Sequence, residues 1–291
     1  MGPMRWFMTA DTAEFLSVTG EFLRAEAARN SVMLTVTADL MAGGPGADPA
    51  GMLFGWRRPA GGPPQAAFMH TPGYPIMLSA MSAAAAADLA PELIAAGRRV
   101  SAVNAAQEAA DAFTAAWRDR TGEAATVHRR MRLFRLGRLA PPVPGPDGRD
   151  RAAAATDRDL LAGWWEAFAL ETGDGPGHDH HADVDKRLGY GGITLWEAGG
   201  VPVSVAALTR AVGAMARIGP VYTPPARRGH GYAGAVTAAV SQAALDAGVR
   251  AVVLYTDLAN PTSNALYERL GYRAVEDRVV VSFAPPVTLH P

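Results

Sequence analysis

The sequence predicts an α/β protein in which a mixed, mostly antiparallel sheet is flanked by helices. Short apolar runs of strand length alternate with longer runs of helical periodicity along all 291 residues. Several predicted strands follow one another with only a turn between them, so these neighbours are expected to pair antiparallel. Apolar residues make up 49% of the chain, which is enough to build a large buried core.

A proline-rich stretch divides the chain into two halves. Four of the nine residues in 140–148 are proline. Proline neither continues a helix nor fits a central strand, so this stretch is typical of a semi-rigid linker. We therefore predict an α/β domain over 1–139, a linker over 140–148 and a second α/β domain over 149–291.

In the first half, a helix over 11–29 is indicated by Phe15, Val18 and Phe22, which recur on one face. Two alanine-rich segments indicate helices over 82–97 and 105–118. The remaining apolar runs predict strands over 3–9, 52–57, 66–70, 76–79 and 126–136.

The second half repeats much of this order. Helices are predicted over 157–171, 231–247 and 261–270, with a loop and a short helix over 173–188. Strands are predicted over 151–155, 192–197, 201–210, 213–222, 250–256, 272–275 and 278–284. The two halves therefore have similar element orders, and the first half is either a degenerate copy of the second or an unrelated accessory α/β module.

Composition excludes several classes of function. The formal net charge is −1, so no broad basic field predicts a nucleic-acid or anionic-membrane partner. The chain has no cysteine and hence no disulfide, thiol nucleophile or thiolate metal site. It has no transmembrane-length apolar run and no signal-peptide pattern, which favours a cytoplasmic protein. Arginine supplies almost all the positive charge, as is typical of a high-GC bacterial genome.

The most informative segment joins a predicted strand to a predicted helix. The strand ends near Tyr222, and a turn then leads through Arg227 and Arg228 to Gly229 and Gly231. Glycines let the backbone approach a ligand closely, and the following helix offers free N–H groups. This combination, with two guanidinium groups beside it, is typical of a phosphate site.

One interpretation of this segment is a nicotinamide dinucleotide site. Gly229, Gly231 and Gly234 spell G-x-G-x-x-G, and Asp257 follows the next strand, where a ribose-binding acid would lie. Residues 223–228 separate the strand from the first glycine, however, and too few βα units follow to complete a doubly wound sheet. The context therefore disfavours this interpretation.

The alternative rests on two motifs in order. Residues 228–233 read Arg-Gly-His-Gly-Tyr-Ala, which resembles the R/Q-x-x-G-x-G/A loop of the GCN5-related N-acetyltransferases, the GNAT family. A strand follows the next helix, and then comes an Asn-rich helix start with Asn260, Asn264 and Tyr267, as in that family. The resemblance covers about 149–285. Together with the length and the similar element order of the first half, it predicts two GNAT-like domains, of which only the second has the loop motif.

The resemblance implies that the second domain binds acetyl-coenzyme A (acetyl-CoA) as co-substrate. Loop amides would bind the diphosphate, the preceding strand would pair with the pantetheine arm, and two asparagines would make further contacts. His230 lies in this loop without a chemical role of its own. The implied cofactor-binding residues are Val221, Tyr222, Thr223, Arg228, Gly229, His230, Gly231, Tyr232, Ala233, Asn260 and Asn264.

The resemblance also implies direct acetyl transfer to a primary amine, with Tyr267 as the general acid. The candidate bases are Glu166 and Glu171 on the first helix of the second half, and the His/Asp cluster over 178–183. Asn260 is also a good helix N-cap, and Tyr267 could be a core residue, so structural roles stay open for both. The acceptor would be a small-molecule amine, and dimers are common in the family. The alternative function is a non-catalytic acyl-CoA sensor or pseudo-enzyme.

A histidine-rich segment at 178–183 lies among glycines and belongs to a solvated loop, an acceptor-site loop or a metal site. His180 and His181 are adjacent, so their side chains diverge, and we predict no metal. Trp164 and Trp165 line an acceptor pocket or pack in the core.

Overall fold

The structure is a computed structural model that describes residues 3–43, 51–173 and 179–284. Its strands are β1 (Met4–Thr9), β2 (Leu53–Pro59), β3 (Ala66–His70), β4 (Ile76–Leu78), β5 (Ala102–Ala106), β6 (Ala124–Leu136), β7 (Arg149–Ala152), β8 (Ile193–Ala198), β9 (Val201–Leu208), β10 (Met215–Tyr222), β11 (Ala251–Asp257) and β12 (Tyr272–Ala284). Its helices are α1 (Thr12–Ala25), α2 (Ser31–Met41), α3 (Ala83–Ala95), α4 (Gln107–Thr121), α5 (Arg158–Thr172), α6 (His180–Leu188), α7 (Tyr232–Asp246) and α8 (Pro261–Arg269).

All twelve strands form one sheet, in the order β1-β2-β3-β4-β5-β12-β6-β11-β10-β9-β8-β7. Two neighbouring pairs are parallel, namely β4 with β5 and β10 with β11, and the other pairs are antiparallel. A helix joins the two strands of each parallel pair, as a parallel connection requires. The predicted α/β class with a mixed, mostly antiparallel sheet is confirmed.

The centre of the sheet is built by an exchange of strands between the two halves. β6, from the first half, lies between β11 and β12 of the second half. β12 in turn lies between β5 and β6. Each half is therefore completed by a strand of the other, and the sheet runs without a break across both. The sequence does not predict this exchange, and the domain boundaries that we drew from the linker stay a prediction.

Helices cover both faces of the sheet. On one face, α3 and α4 pack over the first half, and α7 and α8 pack over the second. On the other face, α5 and α6 cover β8 to β10. There, α1 and α2 bury Leu133 of β6, Met215 of β10 and Val253 of β11 together with their own apolar residues. Helices from the first half thus form part of the second half's core.

Three local predictions differ from the structure. The single helix predicted over 11–29 is shorter, and α2 follows it after a break at Asn30, whose side-chain amide donates to the Leu23 carbonyl. The strand β5 was not predicted, because its alanines have weak strand propensity. Residues 272–284 form one continuous strand with a bulge between Ala274 and Glu276, where we predicted two strands.

The proline-rich connection packs against the second half. The Trp196 indole N–H donates to the Asp147 carbonyl at 3.0 Å. Pro142 and Pro146 lie with Trp196 around a cavity of 230 Å³ beside α7. These contacts hold the segment in place next to the start of α7. In the part of the chain that the structure describes, no helix has the length and apolar character needed to cross a lipid bilayer.

Candidate functional site

The two parallel strands of the second half separate along their length. β10 and β11 pair from Met215 opposite Ala251 to Ile218 opposite Leu254. Both strands then continue, to Tyr222 and Asp257, without pairing to each other. β10 has an irregularity between Ile218 and Val221, which turns it away from β11. The result is an opening in the sheet whose edges present unpaired backbone groups.

The loop that follows β10 forms a row of free amides. A short 3₁₀ turn over Pro225–Arg227 leads to Gly229 and Gly231, with φ angles of +84° and +81°. Gly231 is the N-cap of α7, in a left-handed conformation that favours glycine. Among the described residues, none accepts a hydrogen bond from the backbone N–H groups of 229–233. These donors lie at the positive end of the α7 dipole, so they form an anion-binding cradle.

Arg228 connects this loop to α5. Its Nε donates to the Thr223 carbonyl at 2.9 Å, and its Nη2 donates to the two carboxylate oxygens of Glu171 at 2.8 and 2.7 Å. The guanidinium lies 5.8 Å from the centre of the Tyr222 ring, and the Tyr222 hydroxyl donates to Glu171 at 3.4 Å. Burial and the Glu171 carboxylate raise the pKa of Tyr222. Three predicted site residues, Tyr222, Glu171 and Arg228, are thus in contact.

Tyr267 lies on α8, in the core that α7 and α8 form over the sheet, with 7% of its surface exposed. Its ring packs at 6.3 Å from Phe134 and 6.0 Å from Tyr272, measured between ring centres. Burial raises the pKa of Tyr267 to about 12, so the hydroxyl is protonated near neutral pH. This hydroxyl makes no hydrogen bond to any described residue, whereas the Tyr272 hydroxyl lies 2.7 Å from Ser241 Oγ. Tyr267 therefore combines core packing with a free proton donor.

The two asparagines have structural partners. Asn260 caps α8, since its Oδ1 accepts from the Ser263 amide at 3.0 Å. The Asn264 side-chain amide donates to the carbonyls of Asp257 and Asn260 at 2.8 and 2.7 Å. Its Oδ1 is buried without a partner, so one acceptor remains for a ligand. The capping role that we considered for Asn260 is present in the structure.

The remaining candidates on α5 and α6 are more dispersed. Glu166 is exposed, and no hydrogen bond or ion pair joins it to a described residue. Trp165 is in the core, while Trp164 packs 6.2 Å from Tyr222. Asp179 caps α6, and His178 lies outside the described residues. Within the described ranges, no group of three or more His, Asp or Glu side chains is placed to hold a metal.

The equivalent position in the first half is closed. Only residues 79–82 separate β4 from α3, and none of them is glycine. Arg278 of β12 fills the space between β4 and β5. Its Nη2 donates to the carbonyls of Leu78 and Asn104 at 2.8 and 2.9 Å, and its Nε donates to Asn104 Oδ1 at 2.9 Å. The backbone groups that are free in the second half have partners here.

Sequence reasoning also missed Arg217. This arginine lies in β10, just before the strands separate, on the face that is covered by α2. The sequence feature that could have identified it is an arginine inside the otherwise apolar run Met-Ala-Arg-Ile.

Comparisons with known proteins agree with this geometry. Residues 159–272 match the model of the acetyltransferase (GNAT) family. A search of curated proteins finds no match. Among solved structures, the fold is similar to a GCN5-related N-acetyltransferase from Sphaerobacter thermophilus, at 16% identity over 98% of both chains, with a TM-score of 0.64. An acetyltransferase of the GNAT family from Colwellia psychrerythraea matches at 12% identity over 97% of this chain and 98% of that one, with a TM-score of 0.56.

A tandem GNAT protein from the clavulanic acid biosynthesis pathway matches at 15% identity over 98% of this chain and 99% of that chain, with a TM-score of 0.52. At these identities the solved structures show the fold, and the family model identifies the domain at 159–272.

Proposed function

We propose, from the premise that residues 159–272 form a domain of the GNAT acetyltransferase family, that this protein transfers an acetyl group from acetyl-CoA to a primary amine of a small molecule. The observation that carries the proposal is the row of free amides at 229–233 beside the opening between β10 and β11. A diphosphate fits the row of free amides, and an extended amide chain fits the opening between the two strands.

The residues of this region match the chemistry of coenzyme A. The amides of Gly229, Gly231, Tyr232 and Ala233 would hold the diphosphate at the start of α7. The unpaired edge at Val221–Thr223 would exchange backbone hydrogen bonds with the pantetheine amides, because such groups need partners when a ligand excludes water. The unpartnered Asn264 Oδ1 supplies a further acceptor.

Tyr267 would act as the general acid. In the reaction, the amine nitrogen bonds to the acetyl carbonyl carbon and the carbon–sulfur bond breaks. The amine loses a proton to a base, and the departing sulfur takes the proton of the Tyr267 hydroxyl. This hydroxyl is protonated and has no hydrogen-bond acceptor among its described neighbours, so its proton is available. Glu171 and Glu166 stay candidate bases; Glu171 already accepts hydrogen bonds from Arg228.

The test is to measure thiol release from acetyl-CoA with a panel of primary amines, for the wild type and for Tyr267→Phe. A general acid typically contributes about 10²–10⁴-fold in rate, so we expect kcat to fall by that factor while the Kd of coenzyme A stays the same. Tyr272→Phe is the matched control, since it removes a buried hydroxyl nearby that is bonded to Ser241.

A Tyr267→Phe variant with wild-type turnover would refute the role of Tyr267. Because burial raises the pKa of Tyr267 to about 12, ionisation of this group should not reduce kcat below about pH 10. Saturable binding of acetyl-CoA without thiol release across the whole panel would instead indicate the alternative function, an acyl-CoA sensor.

A further inference from the structure

A second polar cluster lies on the opposite face of β10 and β11 from α7. Arg217 of β10 points toward α2, and its Nη2 donates to Thr35 Oγ1 at 3.3 Å. Its Nε is buried and has no hydrogen-bond partner. No carboxylate in the described part of the chain forms an ion pair with Arg217. Arg217 is therefore a desolvated cation with spare donors.

The surrounding cations already have carboxylate partners. Lys186 of α6 is bonded to Asp39 of α2 at 2.6 Å, and Arg187 lies 3.6 Å from Asp183. Arg217 has no such carboxylate partner among the described residues, so no ion pair compensates its formal positive charge. Burial is the main cause that lowers the pKa of Arg217, and Arg187 acts in the same direction. A bound anion would relieve both effects.

Two further buried donors lie on residues near Arg217. The Tyr255 hydroxyl and the Nε of Arg187 are buried without hydrogen-bond partners. Arg187 follows Lys186, which is bonded to Asp39 of α2, and Tyr255 packs on the face of β11 that α2 covers, so both lie near Arg217. A buried donor without a partner destabilises the folded protein, so three in one cluster indicate a ligand that would accept from them. Arg217 and Tyr255 are half-buried as whole residues, although the Nε of Arg217 and the Tyr255 hydroxyl are themselves buried.

The position of this cluster relates it to the proposed reaction. Arg217 precedes Ile218, the last residue of β10 that pairs with β11, and Tyr255 is the first residue of β11 beyond that pairing. The cluster therefore lies at the point where the strands separate. The loop at 229–233, which would bind the cofactor, lies at the start of α7. This helix covers the face of the sheet opposite Arg217. An acceptor bound beside α2 and α6 would approach the opening from the side opposite α7.

We infer that the acceptor amine carries a carboxylate, and that Arg217 binds this carboxylate with Tyr255 and Arg187 as additional donors. This inference rests on the proposed function and specifies its substrate class as amino acids or similar aminocarboxylates. One guanidinium without a carboxylate partner matches a carboxylate better than a phosphate dianion. Thr35 and Asp39 come from the first half, so that half forms one wall of the acceptor site.

The experiment compares acceptors that differ only by the carboxylate. Thiol release is measured with L-phenylalanine against phenethylamine, L-tyrosine against tyramine, L-histidine against histamine and L-lysine against cadaverine. We expect at least one of these amino acids to have a kcat/KM more than tenfold above that of its decarboxylated partner. If every pair agrees within twofold, or if the amines without carboxylate are preferred, the inference is wrong.

Variants then assign the effect to Arg217. In Arg217→Gln, the KM of the preferred amino acid should rise more than tenfold and the preference over its amine should fall to within twofold, while the KM of acetyl-CoA stays the same. Arg217→Lys keeps the charge and should retain part of the preference. Arg135→Gln, an exposed arginine of β6, is the matched control and should behave as the wild type. Retention of the full preference in Arg217→Gln would overturn the inference.

Binding without turnover separates this inference from the proposed function. The same amino acids are titrated into the wild type and Arg217→Lys, with NMR line broadening of the ligand as the readout. If no thiol is released from acetyl-CoA, the proposed acetyl transfer fails. The carboxylate site still stands if binding is detected and the Arg217→Lys variant weakens it. If none of the amino acids binds to the wild type, the carboxylate site fails as well.

Discussion

The closure of the first half by Arg278 makes a quantitative prediction about stability. Its side chain is 1% exposed, and its guanidinium donates to Glu276, Asn104 and the Leu78 carbonyl. Glu276 is only 11% exposed and has one other cation nearby, Arg29 at 3.5 Å. Arg278→Met keeps the apolar length of the side chain and removes all of these donors.

The expected cost follows from the groups that lose their partner. Breaking a buried ion pair by removing one member costs about 3–5 kcal/mol, because the other charge is left uncompensated. The carbonyls of Leu78 and Asn104 and the Asn104 Oδ1 also lose a donor, at about 1 kcal/mol or more for each buried acceptor. Packing of the methionine offsets part of this loss. We therefore expect the free energy of unfolding to fall by about 4–6 kcal/mol.

Urea unfolding followed by circular dichroism measures this change, and thermal unfolding should show Tm lower by about 7–10 °C. The double variant Arg278→Met with Glu276→Gln removes the uncompensated charge and should recover about 1–3 kcal/mol. Arg135→Met, at an exposed position of β6, is the control for loss of an arginine and should change little. If Arg278→Met destabilises the protein by less than about 1 kcal/mol, as surface changes do, the reasoning fails.

Two further predictions concern the exchanged strands and the cofactor loop. Residues 149–291 expressed alone lack β6, which leaves the edges of β11 and β12 open. This fragment should therefore show no cooperative thermal transition, and co-expression with residues 1–148 should restore one. A stable, monomeric fragment that binds coenzyme A would contradict this prediction. Gly231→Ala and Gly248→Ala place a side chain at φ angles of +81° and +83°, so both variants should lose about 1–2 kcal/mol of stability. Gly248→Ala is the control, and only Gly231→Ala should raise the Kd of coenzyme A measured by calorimetry. Equal affinities in the two variants would show that the loop amides do not bind the diphosphate.

The sequence predicted the parts of this molecule that depend on local chemistry. Strand periodicity, the glycines at 229 and 231 and the Asn260 cap are specified by neighbouring residues, so the class of fold and the loop geometry could be predicted. The family motifs then indicated which loop to propose as the cofactor site, and residues 159–272 match the model of the GNAT family.

The parts that sequence reasoning missed depend on contacts between distant residues. The strand exchange joins β6 to strands that begin at 251 and 272, and no local pattern distinguishes it from two separate sheets. Arg278 and Arg217 looked like ordinary members of an arginine-rich composition. Their roles follow from partners in the other half, 174 residues away for Arg278 and Asn104 and 182 for Arg217 and Thr35.

The exchanged strand also has a consequence for synthesis on the ribosome. Both sheet neighbours of β6 lie later in the chain, and residues 137–250 must be translated before the first of them, β11, begins. At about 5–20 residues per second, the nascent chain carries an unpaired β6 for roughly 6–23 s. Unpaired strands invite aggregation, and charged side chains suppress it. β6 has four arginines, at 129, 130, 132 and 135, so the strand that waits longest for its neighbours is protected by its own charge.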